Sequence, residues 1–511
     1  MNAIELSVFA SRMDAICEEM GVTLQRAAFS PNIKDRLDFS CAIFDAQGGL
    51  CAQAAHIPVH LGSMAFAMAG IVQQFDWQAG DMVVFNDPFL GGTHLPDVTL
   101  VAPVFHGREL QGFVANRAHH ANIGAEAPGS MPISRCLEEE GVIIAPCKLI
   151  ERTVVRESVL AELRSRPQEP VLGGDFVAQI SANKIGSERL GELITQRGVV
   201  AYGAGLQALN DYAYRLAKAE LAQLPSGDYR FTDYMDDDGV GASDIPIKVL
   251  VRISEQSIVV DFAGTATQVG GNINCPLSVT AAAVFYVFRC LLPDHAPACA
   301  GLFRPLNISA PPACLVNAER PAAVAAGNVE TSMRIVDALL GALSTALPDK
   351  IPAASQGSMN NIAMGAVTPR WDYYETVAGG CGAHAVGDGL SGRHSHMTNT
   401  LNTPVENLEM HYPLLVTRYA LRTGSGGGGE HTGGQGIERE YEFLAPAQVT
   451  LLTERRQRSP WGLNGGGPGG RGQNLLNGEP LAGKCSIEVK PGDRITVASP
   501  GGGGWGVTRQ E

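Results

Sequence analysis

No C-x-x-C pair occurs in this chain, and its eleven cysteines are odd in number and scattered from Cys17 to Cys485. Neither a thiolate zinc site nor a disulfide framework accounts for them, and reduced thiols of a cytoplasmic protein fit best. No G-x-x-x-x-G-K-[ST] loop is present to cradle nucleotide phosphates. No run reaches 18 apolar residues; the longest candidate, Val279 to Phe288, stops at Arg289, too short to span a membrane. Glu5, Asp14, Glu18 and Glu19 stand where a signal peptide needs a basic region and an apolar core. There is no block of Lys or Arg either. Against 52 Asp plus Glu the chain sets 38 Lys plus Arg, a net charge of −14, which argues against nucleic acid or an anionic membrane as partner.

What is present concentrates between Asp81 and Met131, where four histidines and three aspartates surround two strand-like runs. Imidazole and carboxylate without thiolate is a donor set for a divalent transition metal. Val98–Phe105 and Leu110–Ala118 read as a hairpin joined at His106-Gly107-Arg108-Glu109. A three-residue loop places Asp97 opposite His119 on one face, with Cβ atoms ~5 Å apart. A two-residue loop presents Ala118 there and makes His120 the substitute ligand. Pro96 breaks the ladder, so Gly91-Gly92-Thr93-His94 can fold back and bring His94 to the same point.

At 511 residues the chain has room for several cores. Leu6, Phe9, Met13, Ile16, Met20 and Leu24 recur at spacings of three and four, predicting an amphipathic helix over 4–28. Asp38 opens a strand, as ligand, base or turn cap. His56 and His60 flank a proline-fixed turn before a helix from Ser63 to Gln74. Residues 152–170 read as a charged helix ending at its prolines, and 178–221 as two helices divided at Arg197-Gly198. From Pro225 the pattern changes to strands at Tyr229–Phe231, Ile245–Ile253 and Ser257–Phe262. The turn Asp236-Asp237-Asp238-Gly239 lacks the alternating ligands and distal glutamate of a calcium loop. Asn328 reads as the cap of a helix running to about Leu347. His394 and His396, without a neighbouring carboxylate, point to substrate or subunit contact rather than metal. Of 60 glycines, 23 fall in the last 91 residues, in irregular runs that read as hairpin turns and close-packed loops, and Tyr441–Thr453 and Lys484–Val489 read as strands. The expected architecture is α+β and multi-domain, with mixed or antiparallel sheets under helical layers. Its segments are 1–224 (metal site), 225–320 (β-rich) and 321–511 (glycine-rich, β-rich at its end).

Several separated motifs, in order, resemble the hydantoinase B/oxoprolinase family: Asp38-Phe39-Ser40-Cys41, His56 to Met64, Asn86-Asp87-Pro88-Phe89, Gly91 to Asp97, Asn116 to His120, Gly327-Asn328, Asn399-Thr400 and Pro500–Gly504. The resemblance covers essentially the whole chain. It implies the hydrolytic subunit of an ATP-dependent hydantoinase, 5-oxoprolinase or lactamase, or alternatively a subunit of an acetone- or acetophenone-type carboxylase. It implies metal ligands at His94, Asp97 and His119, with Asp38 as a further ligand or active-site carboxylate. It also implies a hetero-oligomer with a hydantoinase A type subunit that holds ATP and phosphorylates the carbonyl oxygen of a small cyclic amide. Bound Mn²⁺ or Zn²⁺ then lowers the pKa of the water that attacks the resulting imidate, and Asp38 or a nearby histidine, His120, takes the proton. Asn116, Arg117, His56 and His60 are the expected substrate contacts.

Overall fold

The apolar stripe of the first 25 residues forms α1 (Ala3–Ala27), which buries Phe9, Met13, Ile16, Met20 and Leu24 and is closed at its start by a capping box between Asn2 and Glu5. The computed structural model describes residues 1–55, 57–164, 172–255 and 257–508. A single turn, α2 (Pro31–Lys34), leads into β1 (Phe39–Asp45) and β2 (Leu50–Ala55). Then α3 (His60–Gln74) begins three residues earlier than the apolar pattern predicts, so His60 sits in its first turn. Strands β3 (Met82–Phe85), β4 (Asp97–His106), β5 (Glu109–His119), β6 (Cys147–Glu151) and β7 (Val154–Val155) complete a seven-stranded antiparallel sheet in the order β2-β1-β5-β4-β3-β6-β7.

Both faces of that sheet are covered, which is why its central strands are buried along most of their length rather than at alternate positions. After α4 (Glu157–Arg164), the long α5 (Leu172–Arg197) lies with α1 on one face, and α6 (Val199–Leu221) follows a break at Gly198, where φ is 79°. On the other face α3 packs Met64, Met68 and Ile71 against Phe44, Phe85, Val101 and Phe113. The charged stretch, expected to be helical from 152, starts instead with β7 of the sheet and is helical over Glu157–Arg164; residues 165–170 lie outside the described residues.

The middle segment forms β8 (Gly227–Asp237), β9 (Ser243–Ile253), β10 (Ile258–Asp261) and β11 (Leu306–Ser309), with the last two parallel and α7 (Leu277–Cys290) between them in sequence. The acidic turn is closed by its own backbone, the Asp238 carboxylate accepting from the amides of Val240, Gly241 and Ala242. Next, α8 (Ser332–Ser344) lies across β8 and β9.

In the last segment β12 (Asn361–Val367) and β13 (Arg370–Thr376) precede α9 (Val405–His411), β14 (Leu414–Leu421), β15 (Ile437–Phe443) and β16 (Ala447–Leu452). The strands β17 (Gln473–Leu476), β18 (Glu479–Leu481), β19 (Lys484–Val489) and β20 (Arg494–Ala498) complete two sheets, β13-β12-β16-β19 and β14-β15-β20-β17-β18. The single strand expected over Tyr441–Thr453 is two, one in each sheet, because the chain turns at Leu444–Pro446 and the two sheets share one core. The glycine runs pack backbone on backbone: a Cβ on Gly380 would stand 1.9 Å from the Gly434 carbonyl oxygen.

The result is an α+β protein of mostly antiparallel sheets with helical layers. Each of the segments 1–224, 225–320 and 321–511 carries its own sheet or sheets, while one buried apolar cluster reaches from Phe9 to Leu452 across all three. Among the described residues no helix is long and apolar enough to cross a membrane, and all eleven cysteines are free.

Candidate metal centre

The hairpin that positions the site combines features of both expected registers. His106 pairs with Glu109, so the loop is the two residues Gly107-Arg108. Left alone, that register would set Asp97 against Ala118. Between Phe105↔Leu110 and Val104↔Gly112 the ladder skips Gln111, a bulge on β5 that adds one residue. Beyond it Asp97 pairs with His119. The Gly91–Pro96 loop folds back as Pro96 allows, with the Asp97 amide donating to the His94 carbonyl at 3.1 Å. Gly91, at φ 93°, is required there: a Cβ would lie 2.3 Å from the Cα of Ala67 in α3.

Three donor atoms converge as a result. Asp97 Oδ1 lies 3.3 Å from His119 Nδ1 and 3.4 Å from His94 Nε2, and the two imidazole nitrogens are 3.2 Å apart. All three residues are buried. His94 Nδ1 stands 3.2 Å from the Ala325 carbonyl, an acceptor only, so it carries the proton and Nε2 turns a lone pair inward. Asp97 Oδ1 and His119 Nε2 have no hydrogen-bond partner. Oδ2 of Asp97 is held instead by the Thr93 hydroxyl, by His60 Nε2 at 3.4 Å and by Asn328 Nδ2 at 3.5 Å.

Burial opposes ionisation of His94, but the Asp97 charge outweighs it and holds the imidazolium above its ordinary pKa. Burial likewise opposes the Asp97 carboxylate, and His94, His119 and His60 together hold it well below the carboxylate range. Two imidazole nitrogens and a carboxylate oxygen, buried and aimed at one another, can hold a cation between them. Their separations suit one: ligand bonds of about 2.1 Å at tetrahedral or octahedral angles put neighbouring donors roughly 3.0–3.4 Å apart. Among the described residues this is the one group of three or more His, Cys, Asp or Glu able to hold a metal ion.

Asp38 and His60 join these three around a cavity of about 20 Å³, room for roughly one water-sized oxygen. Asp38 Oδ2 is 3.9 Å from His119 Nδ1, brought there because β1 pairs with β5 and the His119 amide donates to the Asp38 carbonyl at 3.0 Å. His60 Nδ1 is 3.0 Å from Ser40 Oγ.

His120 points the other way, toward α5, with Nε2 2.9 Å from Gln179 Oε1 and its ring over Phe176. Successive strand residues face opposite sides, so only one of the two histidines can look into the cavity. Asn116 shares the outer face and donates to the Gln179 carbonyl and Asn183 Oδ1. Arg117 braces the site from behind, donating to Thr99 and Ser63 hydroxyls and to the Gly91 carbonyl. Neither side chain lines the cavity. His56 lies outside the described residues.

Two participants are not assigned to the site from the sequence. Tyr374 on β13 stacks on His119, centroids 5.0 Å apart and planes 4° apart, and its hydroxyl donates to Asn361 Oδ1. Asn328, expected to cap a helix, instead sits inside a π-helical turn, Gly327–Thr331, that precedes α8 and turns its amide to Asp97.

The hydantoinase B/oxoprolinase family description matches residues 2–508. This chain belongs to the hydantoinase B/oxoprolinase family. It is 40% identical to 5-oxoprolinase 1 of Arabidopsis thaliana over 99% of this chain and 42% of that protein. It is 30% identical to a provisionally named D-/L-hydantoinase subunit of Pseudomonas sp. (strain NS671), over 99% of this chain and 90% of that one. The chain thus spans about two fifths of the length of the 5-oxoprolinases it matches. The ATP-dependent caprolactamase from Pseudomonas jessenii has the same fold, with a TM-score of 0.92 at 28% identity over 99% of this chain and 91% of that chain. An acetone carboxylase shares the fold at a TM-score of 0.89 and 18% identity, over 99% of this chain and 76% of that chain.

Proposed function

We propose that this hydantoinase B/oxoprolinase family member is the hydrolytic subunit of an ATP-dependent cyclic-amide hydrolase, working on a carbonyl that a hydantoinase A type subunit has phosphorylated. The observation that carries the reading is the buried His94, Asp97 and His119 donor set with Asp38 beside it. The family membership and the ATP-dependent caprolactamase of the same fold support it, as does the full-length similarity to a hydantoinase subunit.

An unactivated cyclic amide is a poor electrophile, and phosphorylating its oxygen turns the carbon into an imidate-type centre. His94, Asp97 and His119 are the residues that would hold a divalent ion, Mn²⁺ or Zn²⁺. Such an ion, when bound, lowers the pKa of water and supplies Lewis acidity. Asp38 takes the proton as the water oxygen bonds to the ring carbon. Loss of phosphate from that adduct would merely regenerate the amide. The C–N bond therefore breaks first, the ring nitrogen taking the proton and leaving an acyl phosphate, and a second water releases phosphate and the carboxylate. His60 and Thr93 fix the Asp97 rotamer, and the Tyr374 ring fixes the plane of His119.

The test is His119→Ala in the complex reconstituted with its ATP-binding partner. ADP should appear with little or no ring-opened product, since only the hydrolytic half is lost. ADP and product released one to one at the unmodified rate would overturn the reading.

A further inference from the structure

A second cavity, of about 440 Å³, adjoins the first. Thr398 lines both, and Pro58 in its wall lies between Ile57 and Val59 in the wall of the other. The partition is stitched by the Val59 amide, which donates to the Met397 carbonyl at 3.3 Å. Both ring nitrogens of His394 and the Ser395 hydroxyl are shielded from solvent, and none has a hydrogen-bond partner; Nε2 of His396 faces the Asp337 carboxylate at 3.8 Å instead. Folded proteins leave few such groups unsatisfied, and three on adjacent residues that line one cavity need an explanation.

Their chemistry narrows the ligand. Burial, and then the Arg36 charge, push the His394 pKa down to about 3, and burial also lowers that of His396 against the opposing Asp337. Both rings are thus neutral near pH 7, each offering one donor and one acceptor. Recognition of a carboxylate or phosphate favours an Arg fork or a Lys, whereas the charged lining residue here is Asp388. Pro58, Pro352, Tyr286 and Leu390 add apolar surface to the lining.

We propose that this cavity binds the ring of an uncharged cyclic amide or ureide, with His394 and Ser395 hydrogen-bonding its N–H and C=O groups and the prolines covering its apolar edge. The assignment rests on the cyclic-amide reading above and adds to it the pocket and the charge class of the substrate. It places the ring against the partition shared with His60, Asp97 and the metal cavity.

Cys381 lines this cavity, and Cys290 lines a different one, which allows a test independent of turnover. The full chain is alkylated with iodoacetamide, and the rates at Cys381 and Cys290 are followed by mass spectrometry with hydantoin, 2-pyrrolidinone or 5-oxoproline present. Hydantoin and 2-pyrrolidinone should slow alkylation at Cys381 but not at Cys290. The anionic 5-oxoproline should protect less. In His394→Leu the concentration needed for protection should rise by about tenfold or more, and Ser395→Ala, a smaller change, should raise it in the same direction. His94→Ala should leave protection intact, so that failure of the hydrolytic reading and failure of this one remain separate. The proposal is overturned if Cys381 is unreactive without ligand, if the neutral rings give no protection, if 5-oxoproline protects equally, or if both cavity variants are protected as the unmodified chain is.

Discussion

Asp97 and His119 are directly paired residues on adjacent antiparallel strands, and their facing atoms, Oδ1 and Nδ1, stand 3.3 Å apart. The pairing depends on Gln111, the bulge residue that adds one position after a two-residue turn. Without it the same strand would bring Ala118 to that place and turn His119 to α5.

The two neighbouring histidines should therefore behave differently. His119→Ala should lose most bound Mn²⁺ or Zn²⁺ by elemental analysis. His120→Ala should keep it but melt earlier, since it gives up the Gln179 hydrogen bond and the contact with Phe176. Metal lost from His120→Ala and kept by His119→Ala would reverse the assignment.

Asp38→Asn separates proton transfer from metal binding. If Asp38 is the base, metal content stays near stoichiometric while the rate of ring opening falls by about 10²–10⁴-fold. A parallel fall in metal content would make Asp38 a ligand instead.

Glu330 ties stability to pH. It lies buried in the π-helical turn beside Asn328, and burial, then the Glu454 charge, raise its pKa from 4.5 to about 8. Between those values the folded chain holds a proton that the unfolded chain releases. The stability this group contributes is thus complete below pH 4.5 and lost as pH rises through about 8. Glu330→Gln, which stays neutral, should show a shallower fall in melting temperature across that window. Equal slopes in the two proteins would show that the carboxyl is ionised throughout.

A buried ion cluster clamps the middle segment to the last. Arg455 donates to Asp233 at 2.8 Å and Asp337 at 2.6 Å, and Lys484 donates to Glu454 at 2.6 Å. Arg455→Met leaves two buried carboxylates with less positive charge and should cost about 3–5 kcal/mol, read as a lower urea midpoint. Adding Asp233→Asn should recover part of the loss. A midpoint unchanged in Arg455→Met would mean that the cluster contributes no net stability.

Local patterns were legible where neighbours in sequence are neighbours in space. The α1 stripe, the break at Gly198 and the strands after residue 225 all follow from spacing that a helix or strand converts directly into a buried face. Tyr441–Thr453 misled because two short strands joined by a tight turn keep the same apolar composition as one long strand. Which sheet each joins is settled by packing between the sheets.

The sequence by itself determined the donor types of the site and their confinement to one hairpin, because His94, Asp97 and His119 lie within 26 residues and Pro96 lets the loop fold back. Its ordered motifs also determined the family. The tertiary structure alone decided that His119 faces the cavity, because a one-residue bulge reverses the strand face and no local pattern marked it. It alone brought in Asn328 and Tyr374, more than 200 residues along the chain, and joined His394 and His396 to Pro58 around one cavity. Such contacts arise where separate sheets and helices bury surface against one another, and that choice belongs to the packing of the whole chain rather than to any segment of it.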